Sequence, residues 1–347
     1  MTDDALPPAP PNALTVTVHA AAGVSMVLPA IVAGAGERAA RKTLEFFTAR
    51  IANKHTRETY ARAVFAFCAW CDAHGVQLHA IDAPTVATYL QGLQVNHRKR
   101  GTPRGAAAAS VKVTASALRH WMDFLTESGV LTHNPALSVR TQRLVVSEGK
   151  TPVMEREEGR ALFEALDAAI ANDGDILLMR DRAMFAVMLF GFVRVGALCK
   201  MTVRDFEVDG ATAHLMLHEK GGKERRIACH HKAREYLRAY VQAAGFDARS
   251  QEPLFQSAPK RSAALSGKAI TRGSVWEAVK RRCKAAGLPF SICNHSFRAT
   301  GLTLHQENGG KLEDAQEMAG HADARTTRLY VRKSRKIAQA EFERVQL

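Results

Sequence analysis

Residue types that can handle a phosphodiester are spread over the second half of the chain. Tyr330 stands among three arginines in HADARTTRLYVR, residues 321–332, and Arg194 lies in the apolar stretch GFVRVGAL. The motif HSFR places His295 and Arg298 three residues apart, on one side of a helix. Phosphoryl transfer without a metal needs cationic donors for the nonbridging oxygens, an acid for the leaving oxygen and a nucleophile. Residues of these types can supply such chemistry if the fold brings them together.

Each of these residues also has a structural explanation when it is taken singly. Tyr330 fits a half-buried ring on a solvated basic helix, and His295 with Arg298 fits a surface ion pair or a satisfied core histidine. Arg194 is harder to explain, because a lone arginine in apolar surroundings needs an anionic partner to offset its burial. The chain has no acidic cluster with metal-ligand spacing and no glycine loop of the G-x-x-x-x-G-K type. We therefore expect neither a metal nor a cofactor.

The overall charge indicates a polyanionic partner. The 347 residues include 48 Lys and Arg against 34 Asp and Glu, which gives a formal net charge of +14 at pH 7. Nucleic acid is the first candidate for such a surplus, and an acidic membrane surface is the second.

No membrane span is expected from the apolar runs. The run at 183–193 is short and bounded by arginines, and AAAGVSMVLPAIVAGAG is interrupted by glycines, a serine and Pro29. The acidic, proline-rich start MTDDALPPAPPN is the opposite of a secretory signal. We predict a cytoplasmic protein.

The six cysteines do not have the density of a disulfide scaffold, and a reducing compartment fits them better. Cys68 and Cys71 form CAWC, with His74 close by, so a redox or zinc site has to be considered. The pair lies in a helical stretch, no strand precedes it and no second C-x-x-C completes a zinc site. Core packing is the favoured role.

Apolar periodicity predicts helices over 56–75, 83–94 and 109–129, with Thr56 suited to cap the first of them and Gly75 suited to end it. Later in the chain, three short antiparallel strands are predicted, joined by Asp-Gly and Gly-Gly turns. These strands cover 206–208, 211–219 and 225–229. The chain is therefore expected to be mainly α with a small antiparallel sheet.

Basic residues outside this chemistry form a second group of candidates. Many of them lie in the loop NHRKRGTPRG, residues 96–105. Such a loop is usually only solvated, but the basic excess of the whole chain favours phosphate contact. The candidate DNA-binding residues are Arg98, Lys99, Arg100, Arg104, Lys112, Lys223 and Arg225.

The second half of the chain resembles the tyrosine recombinases, also called phage integrases. Their pattern is an Arg before an apolar helix, a Lys in a glycine-rich hairpin, H-x-x-R, G-H, and a Tyr nine residues after that His. The matching elements, in order, are Arg194, Lys220 in HEKGGKER, HSFR at 295–298, AGH at 319–321 and Tyr330. The resemblance implies a helical, SAM-like core-binding domain followed by a mixed α+β catalytic domain, the simple two-domain type.

Two departures from the family pattern stand out. The family has an acidic residue three positions after the first Arg, where this chain has Ala197, and a Gly where this chain has Glu219. The first departure leaves Arg194 without the acidic side chain that holds it in place in the family. None of the six catalytic positions is missing.

The resemblance implies a role for each of the six residues. Arg194 and Arg298 would hold the phosphate in place of a metal, and Tyr330 would attack the phosphorus. His295 would take the phenol proton, because a phenol with a pKa of about 10 is a poor nucleophile at neutral pH. Lys220 would protonate the leaving 5′ oxygen and His321 would donate a further hydrogen bond. The implied product is a 3′-phosphotyrosyl bond formed without metal or ATP.

The implied partner is double-stranded DNA carrying paired recombination sites. The resemblance implies a protein that is a monomer free in solution and a homotetramer on synapsed DNA. Two alternatives remain open. A type IB-like topoisomerase would share the chemistry, although the helical first domain argues against it. A DNA-binding protein with no strand-exchange activity would be expected to lack at least one of the six residues.

The predicted divisions of the chain combine these patterns with the resemblance. A terminal helix can pack on its own domain or be exchanged between protomers, and the resemblance favours exchange. The divisions are a poorly ordered N-terminal segment 1–37, a helical core-type DNA-binding domain 38–137, a linker 138–152, a catalytic domain 153–332 and a C-terminal tail helix 333–347.

Overall fold

The computed structural model describes residues 15–19, 25–95, 98–99, 102–103, 108–141, 151–219, 222–259 and 262–320. The chain divides into two compact units, with the boundary between Val145 and Val146, inside the predicted linker. The predicted tail helix 333–347 lies outside the described residues.

The first unit consists mainly of helices, with two short antiparallel strand pairs. Its elements are β1 Thr15–His19, β2 Ser25–Pro29, α1 Ala30–Gly34, α2 Glu37–Glu45, a π-helical turn Phe46–Arg50, α3 Lys54–Ala73, a 3-10 turn Leu78–Ala80, α4 Ala83–Val95, β3 Arg98–Lys99, β4 Thr102–Pro103 and α5 Ala108–Glu127.

The three helices predicted from apolar periodicity are α3, α4 and α5. Helix α3 begins two residues before the predicted start, because Asn53 and not Thr56 is its N-cap. The Asn53 side chain accepts a hydrogen bond from the Thr56 backbone N–H at 3.1 Å. Gly75 follows this helix with a φ of +66°, a conformation that suits glycine.

Helices α3 and α5 bury their apolar faces against each other. Trp121 of α5 is fully buried, and its indole N–H donates to Thr43 Oγ1 at 3.3 Å. Cys68 and Cys71 are buried in the same core, which confirms the packing role predicted for them. Burial raises the pKa of both thiols, that of Cys71 to about 12, so they stay protonated at neutral pH.

The expectation of a poorly ordered segment over 1–37 is wrong for the part that the structure describes. Strands β1 and β2 pair antiparallel, and helices α1 and α2 follow. Leu28, Ile31 and Val32 lie in the core of the first unit. The glycines and Pro29 make this run a poor membrane span, but Leu28, Ile31 and Val32 are apolar enough to be buried in a core.

The second unit combines seven helices and one sheet within the described residues. Its elements are α6 Arg156–Asp173, α7 Ile176–Phe190, α8 Val195–Leu198, a 3-10 turn Val203–Asp205, β5 Phe206–Asp209, β6 Thr212–His218, β7 Glu224–Ala228, α9 His231–Ala243, α10 Arg272–Ala285, α11 Asn294–Glu307 and α12 Leu312–Ala319.

The three predicted strands are confirmed as one antiparallel sheet in the order β5-β6-β7. Ala213, Leu215 and Leu217 alternate along β6 and are buried in the core of the second unit. The sheet therefore has one face on this core, and Lys220 falls in the sequence between β6 and β7.

The apolar run predicted to be too short for a bilayer forms most of α7. Residues 183–189 are all buried, and α7 packs against α9 and α11. It is therefore the central helix of the second unit, and residues 183–189 are apolar on every side because protein surrounds them. In the described ranges, no helix is long and apolar enough to span a membrane.

A buried carboxylate ties α7 to α10. Asp181 is fully buried and accepts hydrogen bonds from Arg180 Nη2 at 2.7 Å and from Arg282 Nε at 2.9 Å. Arg180 also donates from Nη1 to the Gln256 carbonyl at 2.7 Å. Charges in a protein interior require such partners, so this cluster fixes the two helices relative to each other.

We predict that Asp181→Ala lowers the free energy of unfolding by about 3–5 kcal/mol, because it leaves two guanidinium groups without their counter-ion. Urea unfolding followed by circular dichroism measures the effect. The control is Asp167→Ala, whose side chain is 46% exposed and pairs with Arg182. This control should cost at most about 1 kcal/mol. Equal losses in the two variants would contradict a structural role for the buried cluster.

Candidate active site

The chain reaches Arg194 through a strained turn after α7. Phe192 has a φ of 52°, a conformation that bulky residues rarely adopt and that costs about 1–3 kcal/mol. The Phe192 carbonyl accepts a hydrogen bond from Arg298 Nη1. Arg194 is then the N-cap residue of α8, and its carbonyl accepts from the Ala197 N–H at 2.9 Å. The turn thus places one arginine and presents a carbonyl to the other.

Helix α11 packs closely on this turn at Gly301. A methyl group added at Gly301 would lie 2.0 Å from the Leu189 carbonyl oxygen and 2.8 Å from the Phe192 ring. Only glycine permits this approach. Arg298, three residues earlier on α11, is thereby brought within hydrogen-bonding distance of the turn.

Arg298 is buried, with 2% of its surface exposed. Besides the bond from Nη1 to Phe192, its Nη2 donates to the Ala319 carbonyl at 2.7 Å. One side chain therefore joins α11 to the turn after α7 and to the end of α12. Hydrogen bonds from a charged group to buried carbonyls offset part of the cost of its desolvation.

The C-terminal end of α12 is bound by three arginines from three different elements. Arg225 of β7, Arg298 of α11 and Arg194 donate to the successive carbonyls of residues 318–320. The donor–acceptor distances are 2.7 Å for Arg225, 2.7 Å for Arg298 and 3.4 Å for Arg194. The last carbonyls of a helix have no partner inside the helix and carry partial negative charge, so guanidinium groups stabilise this end.

Gly320 ends α12 in the left-handed conformation, with a φ of +60°. A methyl group added there would lie 3.1 Å from Arg225 Nε and 3.1 Å from Glu219 Oε2. Glycine is therefore favoured both by the backbone and by the close approach of these side chains. His321, a predicted site residue, follows directly in the sequence, and the three arginines fix the helix end that precedes it.

Glu219 supplies the carboxylate that Ala197 cannot supply. Its Oε1 accepts a hydrogen bond from Arg194 Nη1 at 3.0 Å and from Arg225 Nη2 at 3.3 Å. The Glu219 side chain is 15% exposed, whereas 41% of the Arg194 side chain remains exposed. Arg194 is thus braced by a carboxylate from the hairpin and still presents a surface to a ligand.

His295 lies in the first turn of α11, on the same helix as Arg298. The pKa of its imidazole is lowered from 6.5, first because partial burial disfavours the charged ring, and then because Arg298 and Arg194 add positive charge nearby. The ring is consequently neutral at pH 7 and able to accept a proton.

Three of the six predicted catalytic residues lie in the described part of the chain, and the structure brings them together. Arg194 and Arg298 both donate to the end of α12, and both act on the pKa of His295. The other three lie outside the described residues, namely Lys220, His321 and Tyr330. Glu219, the residue before Lys220, and Gly320, the residue before His321, both accept hydrogen bonds from Arg194.

The predicted DNA-binding residues differ from one another in where the structure places them. Arg98 and Lys99 form β3, while Lys112 on α5 and Lys223 beside β7 are exposed. The Arg225 guanidinium is engaged within the protein, by Glu219 and by the end of α12, which gives no support to phosphate contact by this side chain. Arg100 and Arg104 lie outside the described residues.

Sequence reasoning did not identify Glu219 or Phe192 as part of the site. For Glu219 a signal existed, because an acid adjoins Lys220 in a chain that lacks an acid at position 197. Phe192 had no such signal, because a positive φ in a bulky residue is imposed by its surroundings. Among the described residues, no group of histidine, cysteine and acidic side chains could hold a metal ion.

Comparison with known proteins gives one family and several relatives. Residues 152–336 match the phage integrase family. The tyrosine recombinase XerD of Pseudomonas aeruginosa is 29% identical over 280 residues, which cover 80% of this chain and 86% of that protein.

Solved structures share the fold. The XerH site-specific recombinase bound to palindromic difH substrate in a post-cleavage complex has a TM-score of 0.65 at 18% identity, covering 85% of this chain and 81% of XerH. A lambda integrase tetramer bound to a Holliday junction has a TM-score of 0.60 at 19% identity, covering 86% of this chain and 78% of that one. The mainly helical fold with a small antiparallel sheet is thereby confirmed.

The two arginines should respond differently to replacement by lysine. We predict that Arg298→Lys lowers the free energy of unfolding by about 2–4 kcal/mol, because an ammonium group cannot reach both buried carbonyls. Arg194→Lys, at a partly exposed position, should cost less than about 1 kcal/mol and serves as the matched control. Urea unfolding of both full-length variants gives the comparison. A similar loss in the two would mean that the buried carbonyl contacts of Arg298 do not stabilise the unit.

Proposed function

Because this chain belongs to the phage integrase family and is a site-specific DNA recombinase, we propose that Tyr330 cleaves duplex DNA by forming a 3′-phosphotyrosyl bond. The predicted recombinase activity is thereby confirmed at the level of the family, and the residue roles are the proposal. The observation that supports them is the convergence of Arg194, Arg298 and His295 beside the end of α12, one residue before His321.

The phosphate is held by arginine in this proposal. A phosphodiester under attack becomes pentacoordinate and doubly anionic, so fixed positive charge stabilises it more than it stabilises the ground state. Arg194, whose side chain is 41% exposed, can donate to nonbridging oxygens. Arg298 adds a charge in a buried position, where its field is weakly screened.

Proton transfer accompanies the exchange of one P–O bond for another. The Tyr330 oxygen forms a bond to phosphorus, the bond from phosphorus to the 5′ oxygen breaks, and the phenol proton passes to His295. A neutral imidazole is required for this step, and the lowered pKa of His295 provides it at neutral pH. Lys220 donates a proton to the departing 5′ oxygen, and His321 donates a hydrogen bond to the phosphate. The phosphotyrosyl bond conserves the energy of the phosphodiester, so the reverse steps reseal the strand without ATP.

DNA is the partner in this proposal, and the net charge of +14 suits it. XerH was solved with its difH substrate, and lambda integrase as a tetramer on a Holliday junction. By extension, the present chain would be a monomer in solution. It would assemble into a homotetramer on two synapsed DNA sites. Exposed Lys112 and Lys223, with the basic residues of the 96–105 loop, are the proposed phosphate contacts.

The proposed roles of the segments follow the domain boundaries predicted from the sequence. Residues 38–137 bind the core site, 153–332 carry out the chemistry, and 138–152 link them. The tail 333–347 is proposed to pack on a neighbouring protomer and couple the active sites.

Replacing Tyr330 by phenylalanine should abolish the covalent adduct and leave DNA binding unchanged, because one oxygen atom is removed and no charge is altered. Full-length protein is incubated with duplex DNA from its own locus, and denaturant-stable adducts are resolved on a gel and sequenced at their ends. Tyr236→Phe, a variant of a tyrosine on α9, is the matched control and should form the adduct. An adduct from the Tyr330→Phe protein would refute the assignment of the nucleophile.

Deleting residues 334–347 should leave binding to one site nearly intact but reduce cooperative loading of paired sites and strand exchange. A gel-shift titration on one-site and two-site DNA measures both affinities, with the one-site duplex as the internal control. If the shortened chain loads two-site DNA as cooperatively as the full chain does, the tail packs on its own protomer.

A further inference from the structure

Glu219 and Arg225 form an ion pair at the base of the hairpin that carries Lys220. The two side chains come from the end of β6 and from β7, and Glu219 Oε1 accepts from Arg225 Nη2 at 3.3 Å. The Glu219 backbone N–H donates to the Lys223 carbonyl at 2.8 Å, which continues the pairing of β6 and β7 by one residue on each strand. The pair therefore lies where β6 ends and β7 begins, directly beside position 220 in the sequence.

Both members of the pair also bind elements outside the hairpin. Glu219 accepts from Arg194 Nη1 at 3.0 Å through the same oxygen that binds Arg225. Arg225 Nη1 donates to the carbonyls of the last turn of α12, at 2.7 Å to Met318 and 3.4 Å to Glu317. The pair thus connects the hairpin, the arginine after α7 and the helix that ends before His321.

The side chains of the pair are shielded from solvent. Their exposed fractions are 15% for Glu219 and 20% for Arg225, so the charge–charge interaction is screened less than at a fully exposed site. One carboxylate faces two guanidinium groups, which leaves a net positive charge for a phosphate. The close approach of Gly320 to both side chains leaves little space for them to move.

We propose that Glu219 and Arg225 act as one positioning unit, which aligns Arg194 and the Lys220 hairpin with the C-terminal end of α12 for DNA cleavage. This inference rests on the proposed function of the site. Neither residue needs to touch the DNA, because each acts through the groups that it holds. The opposite possibility is that Glu219 competes with the phosphate for Arg194 and so inhibits cleavage.

The experiment measures single-turnover cleavage and DNA affinity separately. The substrate is the duplex identified by sequencing locus DNA that the full-length chain attaches to covalently, with a nick placed to trap the adduct. Cleavage rates are measured at saturating protein for the original chain, Glu219→Gln, Arg225→Gln and the double variant. Dissociation constants and melting temperatures are measured on the same preparations.

The expected result is a loss of cleavage rate of about tenfold in each single variant, with affinity changed by at most about twofold and an unchanged melting temperature. The double variant should be within about twofold of the slower single variant, because the two residues act as one unit. A purely structural defect would instead lower the melting temperature and the affinity together.

A matched control pair lies on the same sheet. Glu207 of β5 and Arg226 of β7 form an ion pair at 2.9 Å, with side chains that are 42% and 51% exposed. Glu207→Gln and Arg226→Gln make the same changes of charge away from α12, and both should cleave at the original rate. If Glu219→Gln does not fold, Glu219→Asp replaces it. This variant shortens the side chain by one methylene, and the same loss of cleavage rate is expected.

Three results would overturn the proposal. The first is cleavage by Glu219→Gln within about twofold of the original rate. The second is faster cleavage by this variant, which would make Glu219 an inhibitor. The third is a loss of cleavage rate in the double variant that equals the product of the two single losses. Failure of the proposed function is distinguishable from these results, because the original chain would then form no adduct through Tyr330 at all. An adduct from the original chain with equal rates in the Glu219 variants would refute only the positioning role.

Discussion

The binding of the α12 C-terminus by guanidinium groups is the interaction on which the arrangement of the site depends. Arg194, Arg225 and Arg298 come from three separate elements and donate to consecutive carbonyls of residues 318–320. A helix end provides several acceptors of the same sign at spacings fixed by the backbone, so it can gather cations that would otherwise repel one another. The dipole of one short helix thereby concentrates the positive charge that a phosphate transition state requires, beside the residue that precedes His321.

This concentration of charge requires strain and close packing elsewhere. Phe192 adopts a positive φ, and its carbonyl then accepts a hydrogen bond from buried Arg298. Gly301 allows α11 to approach within a distance that no larger residue permits. Such features persist where the surrounding core determines them, and here the core includes α7, whose residues 183–189 are buried and whose Asp181 ties it to α10. Stability in the interior of the unit is what makes strain at its site tolerable.

The partners of Arg194 show that the carboxylate that holds an arginine can come from different positions in the sequence. The family resemblance leads one to expect an acid three residues after the arginine, and Ala197 offers a methyl group there. The structure supplies a carboxylate from Glu219, which is distant in sequence but adjacent in space. What the arginine requires is an acceptor at about 3 Å, and the fold can deliver that acceptor from any neighbouring element.

The sequence by itself determined the features that depend on local pattern. Helices α3, α4 and α5 and the three strands of the sheet follow from apolar spacing and turn residues. The resemblance to the tyrosine recombinases indicated the order of the motifs around Arg194 and HSFR. Only the tertiary structure decided that Leu28, Ile31 and Val32 lie in a core, because burial depends on which surfaces are available elsewhere. It alone also assigned Arg225 to the end of α12, since an arginine looks the same in sequence whether its partner is a DNA phosphate or a carbonyl of its own chain.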